Sequence, residues 1–119
     1  MCQGWQVGFS IGVGEQDGLS ILTCSGELDA ASAPRVAEAL GPLTSVPGCH
    51  PIIDLSGVDF IDSVGLGVIV TGLKHAREAE GGLSVVVSTP RVLRVFQLTG
   101  LDIVIPLHET LADAIAHAR

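Results

Sequence analysis

Residues 51–73 read PIIDLSGVDFIDSVGLGVIVTGL, and this stretch decides the fold. Its apolar opening, 51–55, has the length and composition of a strand buried at the centre of a sheet. Its second part predicts an amphipathic helix over 63–79, because apolar residues recur at the i, i+3, i+4 and i+7 positions. These residues are Leu66, Ile69, Val70 and Leu73. A buried strand that leads directly into an amphipathic helix is typical of α/β domains.

The flanking sequence extends this alternation in both directions. Helices are predicted to begin at polar residues that can cap them, namely Ser32, Ser63, Thr89 and Thr110. Strands are predicted over 9–13, 19–25, 51–55, 83–87 and 103–105. The order β-β-α-β-α-β-α-β-α predicts an α/β fold with a mostly parallel central sheet. We expect about five strands, one antiparallel edge from the opening hairpin, and about four helices.

The size and charge of the chain limit its architecture and its partners. Its 119 residues, 47% hydrophobic and 16% charged, predict a single domain over 1–119. The net charge of −7 argues against direct nucleic-acid binding, which requires clustered Lys and Arg. The acidic excess suits a basic protein partner, but it is equally explained by solubility.

The sequence predicts a cytoplasmic protein without a membrane contact. Residues 1–7 lack the basic and apolar runs of a signal peptide. The longest uncharged apolar stretch, 63–73, is far shorter than the roughly 20 residues of a membrane span. Cys24 is predicted to be a buried strand residue and Cys2 a terminal thiol. Cys24 and Cys49 are expected at opposite ends of the sheet, too far apart for a disulfide.

Motifs for catalysis and for cofactor binding are missing. No Gly-x-Ser-x-Gly elbow and no His-Glu-x-x-His motif occurs, and the glycine pairs match neither dinucleotide nor P-loop fingerprints. We therefore predict no enzyme activity, no cofactor and no metal site. The histidines are expected to lie apart and in solvent; they are His50, His75, His108 and His117.

Ser63 stands where the predicted strand meets the predicted helix. One interpretation is that its hydroxyl only caps the helix. Three neighbouring features favour a docking surface instead. Gly65 and Gly67 lower helix propensity in the first turns, which indicates close approach by another group. Val64 and Val68 are predicted to face outward. Finally, the segment is acidic, so a phosphate on Ser63 would add about two negative charges beside carboxylates, at Asp59 and Asp62.

The segment 61–69, Ile-Asp-Ser-Val-Gly-Leu-Gly-Val-Ile, resembles the Asp-Ser-(Ser/Thr)-Gly-Leu-Gly signature of bacterial anti-sigma factor antagonists, which have the STAS fold. Gly26-Glu27-Leu28-Asp29 resembles the family's Gly-Glu-Leu-Asp turn, and 90–101 is similar to its third-helix segment. The resemblance extends in matching order from about Val7 to Ala118.

The resemblance implies a partner switch. The unphosphorylated protein would bind an anti-sigma factor with serine kinase activity and release a sigma factor. Phosphorylation at Ser63 would end binding, and a PP2C-type phosphatase would restore it. Val64 replaces the Ser or Thr that often follows the phosphorylated residue, so a second phosphorylation site at that position is lost. The residues predicted to bind the partner are Asp29, Asp62, Ser63, Val64, Gly65 and Val68.

Two other functions stay open at this point. The domain could be an accessory subunit of a lipid-transporting ABC complex or of a sensory assembly, with Ser63 only a helix cap. Ligand binding at the carboxyl ends of the strands is common in α/β sheets, so nucleotide binding is the third possibility.

Overall fold

A five-stranded sheet forms the centre of the computed structural model, which describes residues 9–118. The strands follow one another across the sheet in chain order, and only the first pair is antiparallel. They are β1 (Phe9–Gln16), β2 (Leu19–Leu28), β3 (Ile52–Ile61), β4 (Ser84–Val86) and β5 (Leu107–His108). The predicted α/β class, the mostly parallel sheet and the antiparallel edge are confirmed. The predictions for Cys2 and for residues 1–7 lie outside the described residues.

Five helices cover the two faces of the sheet. They are α1 (Ala33–Thr44), α2 (Ser63–Glu78), α3 (Pro90–Thr99), α4 (Leu101–Val104) and α5 (Leu111–Ala118). The larger core lies between the sheet and α1, α2 and α3, and a smaller core lies under α5. Ile52 and Ile53 are neighbours in β3 but enter different cores, because successive strand side chains point to opposite faces.

The strand predicted over 103–105 is wrong. That segment begins with α4, in which Ile103 is 84% exposed, and the last strand lies farther along at Leu107–His108. Gly100 ends α3 in the left-handed conformation, with φ of 78°, and the chain turns directly into the short α4. Only Ile105 of the apolar run is buried, so the run resembles a strand in composition but not in exposure. The additional helix raises the count from about four to five.

Three of the four predicted caps, Ser32, Thr89 and Thr110, are correct in position but only partly in chemistry. The hydroxyl of Thr110 accepts a hydrogen bond from the Asp113 amide (3.1 Å), as a cap does. Ser32 and Thr89 occupy N-cap positions without capping. The Ser32 hydroxyl donates to the Glu27 carbonyl (2.7 Å), and the Thr89 hydroxyl donates to that of Val58 (3.0 Å). Both hydroxyls therefore tie a helix start to the sheet.

Both central strands are longer than predicted. β2 continues to Leu28 and β3 to Ile61, and these two residues are paired in parallel register. The register shifts beside Gly26, whose φ of 105° is a backbone conformation that glycine adopts readily. As a result, the Gly-Glu-Leu-Asp segment and the start of α2 lie side by side at one edge of the sheet.

Candidate functional site

The two motifs meet where β2 and β3 end. The backbone N–H of Asp62 donates to the carbonyl of Leu28 at 3.2 Å, one residue beyond the last strand pair. Asp29, the residue after β2, therefore lies beside Asp62, which leads from β3 into α2. The segment that contains Asp29 and the segment that contains Asp62 and Ser63 therefore follow two paired strand ends.

Asp62, not Ser63, caps α2. Asp62 has extended backbone angles, and its Oδ1 accepts a hydrogen bond from the Gly65 amide at 2.9 Å. Ser63 is the first residue of the helix; it is exposed, and its hydroxyl takes no part in the cap. The predicted helix start at Ser63 is confirmed, but the interpretation of Ser63 as the cap is wrong. Asp caps as well as Ser does, and the residue one position earlier has the required geometry.

The Asp29 carboxylate organises the start of α1. Its Oδ1 accepts hydrogen bonds from the backbone amides of Ala31 (3.0 Å) and Ser32 (3.1 Å) and from the Ser32 hydroxyl (3.2 Å). Asp29 is half-buried, so these local bonds occupy part of its hydrogen-bonding capacity. Contact between Asp29 and a partner stays a prediction.

Gly65 and Gly67 have different surroundings although they are two residues apart. A Cβ at Gly65 would lie 2.6 Å from the Leu28 carbonyl oxygen and 2.8 Å from Leu28 Cγ. Gly65 is buried, so it meets its own domain and does not offer a surface to a partner, contrary to its predicted role. A Cβ at Gly67 would meet no atom within 4 Å, and Gly67 is exposed.

The two valines predicted to face outward do not do so equally. Val64 is 46% exposed, whereas Val68 is half-buried and packs against the larger core. Val68 and Val64 both line a groove between α1 and α2. The groove has a volume of about 470 Å³, and most of the residues that line it are small or apolar. Sequence patterning missed this groove, since no periodicity reports the space between two helices.

The surroundings of both described thiols raise their pKa values. Burial, reinforced by the nearby Asp54 carboxylate, raises the pKa of Cys24 to about 12. Burial also raises the pKa of Cys49 above its ordinary value. Both cysteines are free. The thiolate, which is the nucleophile and the metal ligand, is therefore disfavoured at both positions.

The prediction that the histidines lie in solvent is wrong for His50 and His108, which are half-buried, and His117 is exposed but does not lie apart from His108. The rings of His108 and His117 are 4.9 Å apart, and His50 Nε2 lies 2.8 Å from Ser84 Oγ. Burial, followed by the imidazoles of His117 and His108, lowers the pKa of His50. Burial and His117 also lower the pKa of His108, against an opposing effect of Asp113. Pairing of β5 with β4 and the return of α5 create this proximity.

Across residues 9–118, no group of three His, Cys, Asp or Glu side chains is arranged to hold a metal ion. Within the same range, none of the helices has the length and apolar character needed to cross a membrane.

Comparison with known proteins adds independent information. The chain matches the family model described as the STAS domain over residues 10–114. It is 39% identical over 83 residues to an anti-sigma-B factor antagonist of Listeria monocytogenes, covering 70% of this chain and 73% of that protein. It is 32% identical over 111 residues to the anti-sigma-F factor antagonist RsfB of Mycobacterium tuberculosis, covering 92% and 89% respectively.

A solved structure gives the same result. The crystal structure of an anti-sigma factor antagonist from Mycobacterium paratuberculosis superposes with a TM-score of 0.85 at 35% identity. The alignment covers 96% of this chain and 97% of that one. All three relatives are named as antagonists, which are regulatory binding proteins rather than enzymes, in agreement with the prediction that the chain is not an enzyme.

Proposed function

The chain belongs to the STAS-domain family of anti-sigma factor antagonists, and from that premise we propose that it binds an anti-sigma factor until Ser63 is phosphorylated. The observation that carries the proposal is the position of Ser63: it is exposed, at the first residue of α2, and not engaged in the cap. A kinase can therefore reach the hydroxyl without unfolding the helix.

A phosphate at this position would change the surface without dismantling the fold. The Asp62 cap remains, and the amino end of a helix tolerates negative charge. The dianion would nevertheless stand next to Asp62, with Asp59 close in sequence, and beside the exposed Val64 side chain. A partner surface shaped for a neutral hydroxyl and an apolar contact would have to desolvate about two additional negative charges. Binding is therefore lost while the domain stays folded.

The family resemblance supplies the enzymes of the cycle. The anti-sigma factor itself would act as the ATP-dependent serine kinase, and a PP2C-type phosphatase would return the hydroxyl. Release of a sigma factor follows when the unphosphorylated chain occupies its anti-sigma factor. In the alternative role as an accessory subunit, Ser63 would be only a helix cap. Ser63 does not have that position, because Asp62 is the cap.

The test measures phosphorylation and binding with the purified cognate anti-sigma factor. Incubation with ATP should phosphorylate wild type at Ser63 and leave Ser63→Ala unmodified, as read by mass spectrometry of peptides. Ser63→Ala should still bind in calorimetry, whereas Ser63→Asp should lose roughly 2 to 5 kcal/mol of binding free energy, as charged groups buried without a partner do.

Gln97→Glu is the matched control, since it adds the same charge at an exposed position of α3 and should bind like wild type. Phosphate on a different residue, or equal affinity of Ser63→Asp and Gln97→Glu, would contradict the proposed switch.

A further inference from the structure

Gly67 is a glycine that the isolated domain does not require. Glycine is among the least favourable residues inside a helix, so its presence needs a reason. Two other glycines of α2 have one: a Cβ at Gly65 would collide with the Leu28 carbonyl, and a Cβ at Gly72 would collide with the Leu40 side chain. A Cβ at Gly67 would meet nothing within 4 Å.

Gly67 lines the groove between α1 and α2. The described residues that line this groove include no Asp, Glu, Lys or Arg, although the chain has 19 such residues, and His75 is the only ionisable one among them. Gly41 also lines the groove from α1, but Pro42 follows it, and a residue before proline is crowded in a helix. Gly67 has no such local reason. The absence of a side chain at Gly67 therefore leaves space for a group that enters the groove.

The groove is continuous with the surface around Ser63. Val64, the residue after Ser63, belongs to its wall. Ser63, Gly67, Thr71 and His75 follow one another at intervals of four residues along α2. At 1.5 Å per residue this line is about 18 Å long, which is the length of about three helical turns. A protein helix that covers Ser63 and runs along α2 therefore passes over Gly67.

The ends of this line differ in charge, and this favours a protein helix of defined polarity. Asp62 and Asp29 lie at the Ser63 end, and both are partly exposed. The rest of the groove is lined mainly by small and apolar residues, and its polar members are Thr44, Thr71 and His75. The complementary surface is an amphipathic segment with a basic residue at one end and apolar residues after it.

We propose that the groove between α1 and α2 receives apolar side chains from one helix of the anti-sigma factor, and that Gly67 lets this helix approach closely. The inference rests on the proposed function, because it names the same partner and extends its contact area from Ser63 towards His75. An apolar side chain fills the space over Gly67, flanked by Val64 and Val68.

The test compares Gly67→Ala and Gly67→Leu with wild type, using the purified anti-sigma factor in calorimetry and thermal unfolding of the free domain. Gly67→Ala should raise the melting temperature by a few degrees and still weaken binding several-fold. Gly67→Leu should fill the groove and weaken binding at least tenfold. Ala112→Leu, on α5 at the opposite face of the sheet, adds comparable bulk at an exposed position and should bind like wild type.

The outcomes separate this inference from the proposed function. If both Gly67 variants bind like wild type while Ser63→Asp does not bind, the groove is not a contact and the switch stands. Equal loss in Gly67→Leu and Ala112→Leu would also overturn the inference. If wild type does not bind the anti-sigma factor at all, both proposals fail together. Gly67→Ala remains informative if Gly67→Leu misfolds.

Discussion

Replacing Asp62 tests whether α2 is held by the residue before the phosphorylation site rather than by Ser63 itself. Asp62→Ala removes the carboxylate that accepts the Gly65 amide at 2.9 Å, so one amide of the first turn loses its partner. Ser63→Ala removes a hydroxyl that is outside the cap and should leave the free energy of unfolding within about 0.5 kcal/mol of wild type.

The size of the Asp62 effect follows from two contributions. Loss of an N-cap side chain costs about 1 kcal/mol, and loss of a negative charge at a helix amino end costs a further 0.3 to 1 kcal/mol, roughly. We therefore expect Asp62→Ala to lose about 1.5 kcal/mol. Asp62→Asn keeps the acceptor oxygen and gives up only the charge, so it should lose less than about 1 kcal/mol.

Urea unfolding followed by far-ultraviolet circular dichroism gives these differences directly. The slope of the unfolding free energy with urea should be the same in all variants, because the surface exposed on unfolding does not change. A loss in Ser63→Ala as large as that in Asp62→Ala would refute the reasoning, since it would make the serine the structural cap after all.

Two further predictions concern stability. Gly65→Ala should lower the free energy of unfolding by about 1 to 3 kcal/mol in urea, because its Cβ would lie 2.6 Å from the Leu28 carbonyl oxygen. Gly67→Ala in the same helix should not lower it. Destabilisation of both variants would contradict the expected packing at Gly65. Acid should weaken the domain near pH 6, because His50 and His108 have pKa values lowered from 6.5 in the folded state, so the unfolded chain takes up protons first as the pH falls. The unfolding free energy should therefore drop as the pH falls below about 6.5, and His108→Asn should flatten that drop; an unchanged slope would exclude this residue as a source.

The apolar periodicity and the residues that break or cap the elements predicted most of the fold. The apolar spacing of α2 and the buried composition of β3 decided the α/β class, because burial on one helix stripe or on both strand faces leaves a direct trace in sequence. The segment 103–105 left a misleading trace. Three apolar residues in a row suggested a strand, but tertiary packing buries only Ile105 and leaves Ile103 exposed.

The site was predictable where it depends on adjacent residues and unpredictable where it depends on distant ones. Ser63 and Asp62 were found from the strand-to-helix junction, although the cap was assigned one residue too late. The burial of Gly65 depends on Leu28, which belongs to another strand. The histidine group depends on the pairing of β5 with β4. No local pattern carries such information.

The Leu28 carbonyl has a consequence for how this surface can evolve. It accepts a hydrogen bond from the Asp62 amide, and it also occupies the space that a side chain at Gly65 would need. Two segments far apart in the chain therefore share a single backbone atom as their common boundary. Sequence change in either segment is therefore restrained by the other. Replacing only one of the two segments in a distant relative would create a poor fit where they meet.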